Sequence, residues 1–234
     1  MRIVFNNFYR FSLLFFVTLI ADIIVKITFE VSIYRFISKS LVIILLSVFY
    51  ILNQKESSKF KMIYMLGALL SYWIGDMMLI LHKIEVYNML GLSFFIIGKL
   101  FYVFRFSNSK DFDLLKLFPF LILFFFYLVS VFILIQNNLN DYYYLTLVYI
   151  FVGLVLIIFA LLRKSEVNNS SYYVVLMGIL CSVFSDSITA LKSFYDKDFA
   201  FHIVTIMLFY GLSQYFIVMG IVKETNPEVL KFKK

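Results

Sequence analysis

The chain has 234 residues, 63% of them hydrophobic and only 15% charged, with a mean hydropathy of +0.94. Soluble domains sit near 45–50% apolar with about 25% charged residues, and a domain of roughly 200 residues still leaves about a quarter to a third of its chain surface wet. A water-soluble fold is therefore excluded, and lipid is the expected solvent. The net charge of +7 does not signal nucleic acid, because the Lys and Arg lie mostly between apolar runs, with no basic helix or aromatic platform beside them.

A spanning helix needs about 20 mainly apolar residues. The sequence predicts one all-α membrane domain over 1–234, with eight transmembrane helices at roughly 8–29, 36–52, 61–81, 88–106, 114–135, 142–162, 171–191 and 199–222. The first span is too long for a cleaved signal peptide, and Asp22 and Lys26 interrupt it where a small-residue cleavage site should be. The second is short and carries Lys39 near its start. Polar separators such as Asn53-Gln54-Lys55-Glu56-Ser57-Ser58 and Lys164-Ser165-Glu166-Val167-Asn168-Asn169 part the spans. Pro119 falls in the first turns of the fifth span and Pro227 in the tail, so most helices should run unbroken. Fourteen Lys and Arg lie with the N-terminus, the even-numbered turns and the tail, against six on the other side. The positive-inside rule then places both termini in the cytoplasm, and with no organelle address evident the cell membrane is the expected location.

Against this apolar background a few polar residues stand out. An ionisable side chain at mid-membrane costs about 2.5–3.5 kcal/mol on insertion scales, so such residues face inward and usually serve a function. Asp76 follows Ser71-Tyr72-Trp73-Ile74-Gly75, and Asp186 follows Cys181-Ser182-Val183-Phe184-Ser185. Each lies about fifteen residues into its helix, or roughly 22 Å of rise. Two acids at equal depth on different helices point to one shared site. A small residue precedes each (Gly75, Ser185), a lysine follows at the outer end (Lys83, Lys192), and the next helix carries Gly-x-x-x-Tyr (Gly98 to Tyr102, Gly211 to Tyr215). These matches predict two parallel four-helix repeats, with the site between the halves.

Lys99, Tyr210 and Gln214 reach similar depths. Lys99 reads either as a charge partner for an aspartate or as a direct participant. Asp22 and Lys26, at i,i+4, read as a snorkelling pair near the outer interface. Cys181 is the sole cysteine, so no intramolecular disulfide forms. His82 and His202 have no metal-ligand companion at helical spacing, and neither a metal nor an organic cofactor is expected. No Gly-x-Ser-x-Gly, P-loop or Rossmann fingerprint is present.

With these residues assembled, the chain resembles the YhhN family of multi-pass membrane proteins, which includes the lysoplasmalogenases. The third and fourth spans look like that family's Gly-Asp helix and aromatic helix: Gly67-Ala68-Leu69-Leu70, Ile74-Gly75-Asp76-Met77-Met78-Leu79, then Gly91-Leu92-Ser93-Phe94-Phe95 and Leu100-Phe101-Tyr102. The seventh and eighth resemble its Ser-Asp and Tyr-x-x-x-Gln blocks: Phe184-Ser185-Asp186-Ser187-Ile188, Ala190-Leu191, and Tyr210-Gly211-Leu212-Ser213-Gln214. Lys39 matches the lysine of a Lys-Pro pair. The chain departs from the family at Ser40, where proline is usual, and at Lys99, where many members have histidine.

The resemblance implies hydrolysis of the vinyl ether bond of a lysoplasmalogen, giving a fatty aldehyde and a glycerophospho-ethanolamine or -choline. Asp76 and Asp186 would be the catalytic acid and base, dividing roles that the sequence does not assign. Lys39, Lys99, Tyr102, Tyr210, Gln214, Ser185 and Asp22 would contact the substrate, a lysophospholipid. Lys39 and Lys99 would pair with a carboxylate or hold the lipid phosphate, and Tyr210 and Gln214 would bond the glycerol. Two other readings stay open: a proton-coupled transporter, in which the acids relay protons, and a non-catalytic lipid-binding membrane protein.

Overall fold

The computed structural model describes residues 5, 7–29, 31–56, 58–107, 114–195 and 202–225. These residues hold eight α-helices and three short 3₁₀ turns: α1 (Phe8–Thr28), α2 (Ile33–Asn53), α3 (Lys59–Ile80), α4 (Glu85–Phe106), α5 (Leu114–Ile135), α6 (Tyr143–Leu162), α7 (Asn169–Phe194) and α8 (His202–Val222). No strand occurs among them. Among the described residues seven helices, α1–α4 and α6–α8, are long and apolar enough to cross a membrane. The chain is a multi-pass membrane protein.

The distribution of apolar side chains agrees with lipid outside. On α1, Phe11, Phe15 and Leu19 face inward, while Leu13, Val17, Ile20, Ile24 and Ile27 form an exposed stripe on the opposite face. A soluble helix places polar groups on that outer face; here both faces are apolar. Asn7 caps the start of α1, its side chain accepting from the backbone of Tyr9 at 3.0 Å and Arg10 at 3.2 Å.

Packing is closest in two helix pairs, α3 on α4 and α7 on α8. Lipid gives no hydrophobic drive between helices, so close packing through small residues does that work. A Cβ added at Gly75 would lie 2.5 Å from the Phe95 ring and 3.0 Å from the Gly91 carbonyl oxygen. One added at Gly178 would meet the Ile217 nitrogen and the Ser213 carbonyl oxygen, both at 2.9 Å. Aromatic rings join α1 to the rest, Phe11 stacking on Phe49 of α2 at 3.9 Å and Phe15 on Tyr215 of α8 at 5.0 Å.

The second helix begins before the predicted span, at Ile33. Arg35, assigned from the sequence to a turn, is thereby carried inside the bundle and is buried. Successive helices run up and down, which gathers charged residues at two levels. At one end, here the Glu224 end, Arg105 of α4 donates through Nη2 to Glu56 at 2.6 Å and to Glu224 at 3.0 Å. Arg163, just past α6, donates to Glu224 at 2.9 Å and to Ser171 of α7 at 3.0 Å. Glu56 after α2, Arg105 of α4, Arg163 after α6, Ser171 of α7 and Glu224 after α8 are thus tied by one network. The other end, the Lys192 end, carries the entrance to the candidate site.

Burial alone would raise the Glu224 carboxyl, but the Arg105 and Arg163 guanidiniums override it and hold the group below the ordinary glutamate range. A carboxyl depressed by folding contributes stability above its unfolded value of about 4.3, and that contribution is lost as pH falls below it. Glu224→Gln leaves two buried guanidiniums short of a counter-charge, at a cost of about 3 kcal/mol, or roughly 6–12 °C in melting temperature. Thermal melts in detergent should show that drop at pH 7 and a smaller difference between the two proteins near pH 3; a constant gap across this range would show that Glu224 is not the titrating partner.

Candidate functional site

Asp76 of α3 and Asp186 of α7 line one cavity of about 310 Å³. Each is held by one lysine and one tyrosine. Tyr210 of α8 donates its hydroxyl to Asp76 Oδ2 at 2.6 Å, and Lys39 of α2 lies 3.5 Å from Oδ1. Tyr149 of α6 donates to Asp186 Oδ1 at 2.7 Å, while Lys99 of α4 donates to Oδ2 at 2.8 Å. Ser182, one turn back on α7, adds a longer bond to Oδ2 at 3.4 Å. In both clusters the ammonium also lies over the tyrosine ring, Lys39 over Tyr210 at 4.1 Å and Lys99 over Tyr149 at 3.6 Å, a favourable placement for a desolvated cation.

The two clusters are crosswise copies. Asp76 takes its lysine from the first four helices and its tyrosine from the last four; Asp186 takes its tyrosine from the last four and its lysine from the first four. The same number of residues separates Lys39 from Tyr149 as separates Asp76 from Asp186, and Lys99 stands one more from Tyr210. Corresponding positions therefore carry lysine in one half and tyrosine in the other.

The aspartates share a cavity, and each carboxylate lies against a lysine. One expectation is corrected. Asp22 is not half of a surface pair with Lys26. It is fully buried, with Oδ1 accepting from Arg35 at 3.2 Å and from Ser38 at 2.6 Å, and Oδ2 lying 4.0 Å from Lys39. The i,i+4 spacing suggested Lys26, but the bundle brings two cations of α2 against the carboxylate instead. Lys39 thus stands between Asp22 and Asp76.

Of the other expected site residues, Lys39, Lys99, Ser185 and Tyr210 line the cavity, whereas Asp22, Tyr102 and Gln214 are not among its lining residues. Tyr102 donates to Gln214 Oε1 at 2.6 Å, so these two engage each other. Ser185 donates to the Ile206 carbonyl of α8 at 3.1 Å and fixes α7 on α8 beside Asp186. Ser40, the departure from proline, accepts from the Trp73 indole at 2.9 Å and ties α2 to α3. Tyr149 and Arg35 were missed. Tyr149 is one of 17 tyrosines with no local motif; only its distance from Lys39, matching that between the aspartates, marks it.

The cavity has chemically distinct parts. At the Lys192 end it is lined by Lys26, Arg35, His82, Asn88, Lys192 and Ser193. The aspartate clusters come next. Beyond them Leu128, Val131, Ile150, Gly153, Ile157 and Val183 make an apolar arm between α5, α6 and α7. From the start of α6 at Tyr143 to Ile157 is roughly 21 Å of helix rise. Among the described residues no three of His, Cys, Asp and Glu converge as metal ligands would.

A multi-pass helical bundle with two aspartates, each clamped by lysine and tyrosine, around an amphipathic intramembrane cavity is the class that fold and site define. Within it, the YhhN family profile matches residues 34–221, and the chain belongs to the YhhN family. No curated protein and no solved structure matches it.

Removing Lys99 leaves the half-buried Asp186 without its cation, at a cost approaching the about 3–5 kcal/mol of a fully buried pair; removing the Tyr149 hydroxyl costs about 1–3 kcal/mol. Thermal melts should therefore rank Lys99→Met below Tyr149→Phe. The double variant Lys99→Met, Asp186→Asn should regain part of the loss. A double variant no more stable than Lys99→Met would show that the pair is not energetically coupled.

Proposed function

We propose that this protein is a hydrolase of the vinyl ether bond of lysoplasmalogens, releasing a fatty aldehyde and a glycerophospho-ethanolamine or -choline. The observation that carries the reading is the opening of both clamped aspartates onto one cavity with charged and apolar ends. Membership of the YhhN family is compatible with a hydrolase. The cavity volume lies in the range of small-molecule sites, and its two ends suit the two ends of a single-chain phospholipid.

A vinyl ether is hydrolysed by protonating its β-carbon, and the resulting oxocarbenium ion is trapped by water. Asp186 accepts from Lys99, Tyr149 and Ser182 and is the more accessible carboxyl, its side chain 26% exposed against 4% for Asp76. Three donors favour a charged carboxylate, so Asp186 is assigned the anion that faces the cation and takes a proton from water. Asp76 has one short donor and shares its lysine with Asp22, and it is assigned the proton donor to the β-carbon. Water adds as Asp186 takes its proton, giving a hemiacetal. As that collapses, its hydroxyl proton returns to Asp76, and Asp186 protonates the departing glycerol oxygen. Both carboxyls end as they began.

The crosswise clamps support two parallel four-helix repeats, and with α5 counted the bundle would span the membrane eight times. The excess of Lys and Arg at the Glu224 end supports cytoplasmic termini in a plasma membrane, with the cavity mouth facing outward.

Asp76→Asn and Asp186→Asn should each lower aldehyde release from an alkenyl lysophospholipid by about 10²–10⁴-fold while the purified protein stays monodisperse. Turnover within tenfold of the parent in either variant would refute the two-carboxyl mechanism. No aldehyde from the parent, where a verified lysoplasmalogenase gives it, would remove the reaction itself.

A further inference from the structure

Among the described residues, the charges lining the cavity do not balance at its Lys192 end. Arg35 is bound by Asp22 at 3.2 Å, and Lys39 stands between Asp22 and Asp76. Lys99 belongs to Asp186. Lys26 of α1 and Lys192 of α7 also line the cavity, and among the described residues no carboxylate lies within ion-pair distance of either. Lys26 nevertheless lies within electrostatic reach of Arg35, Lys39 and Lys192. Cations from three helices are thus held together at one opening, with Asp22 behind them as a nearby counter-charge. Such an arrangement is relieved by a bound anion.

We propose that Lys26, Arg35 and Lys192 form the binding site for the phosphodiester of a single-chain phospholipid, whose hydrocarbon chain lies in the apolar arm of the same cavity. This assignment rests on the reading of the cavity as a lysophospholipid site. Arg35 is oriented by Asp22 through Nη1, which leaves its other donors for a phosphate oxygen, the planar two-pronged geometry that guanidinium offers. Lys26 and Lys192 add ammonium groups from α1 and α7.

The spacing fits the chemistry. Seven bonds of about 1.5 Å separate the phosphorus of such a lipid from the alkenyl β-carbon, roughly 8–9 Å when extended. Asp186 and Lys192 are six residues apart on α7, about 9 Å of rise, and Arg35 lies one turn from Lys39. A phosphate held at the mouth therefore brings the ether to the level of the two carboxyls. The headgroup beyond the phosphate points out of the cavity, so ethanolamine and choline are both accommodated. A monoalkenyl glycerol without phosphate lacks this anchor.

The test uses purified full-length protein in detergent, with two uncleavable ligands followed through intrinsic fluorescence or thermal shift. One is an alkyl lysophosphatidylethanolamine; the other is the matching alkylglycerol, which has the chain but no phosphate. The parent should bind the phosphate-bearing lipid at least tenfold more tightly, and Lys26→Gln, Lys192→Gln together should bind the two alike. Lys26→Arg, Lys192→Arg should keep the preference, which separates charge from folding. A preference that survives in the double glutamine variant, or is missing in the parent, overturns the site. Inorganic phosphate at millimolar concentration should not displace the lipid; displacement would make a soluble anion the ligand and overturn the lipid assignment. Binding needs no turnover, so a parent that shows the preference but releases no aldehyde upholds the phosphate site and removes the proposed reaction.

Discussion

Carboxylates inside a low-dielectric bundle must be neutralised where they stand, and much of this structure answers to that requirement. Asp22, Asp76 and Asp186 each lie against at least one cation, and the cations come from other helices. An unpaired ion in such surroundings would cost several kcal/mol even after relaxation. Helix positions are consequently constrained at the level of single side chains. α2 must bring Arg35 and Lys39 to Asp22, α4 must bring Lys99 to Asp186, and α8 must bring Tyr210 to Asp76. The glycine contacts of α3 with α4 and α7 with α8 set the close backbone approach within which those side chains meet.

The two ends of the bundle use charge differently. At the Glu224 end Glu56 and Glu224 are ion-paired with Arg105 and Arg163, joining the segments after α2, α6 and α8 into one network. At the Lys192 end, cations converge on the cavity and, among the described residues, are only partly compensated. The first arrangement holds the scaffold together. The second is the arrangement on which the proposed phosphate site rests.

The existence of the helices was legible in the sequence because lipid leaves the backbone few alternatives, and runs of Phe, Leu and Ile announce it. Asp76 and Asp186 were legible as acids within apolar runs, and the structure brings both to one cavity. Their partners were less so. Lys39 and Lys99 stood out as charges in apolar runs, but which carboxylate each would meet depends on helix packing that no local pattern encodes. Helical spacing misassigned Asp22 to Lys26, because i,i+4 geometry is visible along one helix while contacts between helices are not. Arg35 was hidden by a helix start placed a few residues late. Tyr149 was hidden by abundance, since tyrosine in a membrane protein ordinarily marks the interface.

The crosswise clamps bear also on how the bundle is able to move. Carriers commonly work by rocking one half against the other about a central site. Here such a rotation would draw Lys99 from Asp186 and Tyr210 from Asp76 in the same stroke, because both contacts cross between the first four helices and the last four. The polar centre acts as a double latch across the one seam along which a carrier would need to open. A ligand then has to enter and leave by the mouth or by parting individual helices, with the latch shut throughout. A chamber latched in this way keeps its two halves in one relative position.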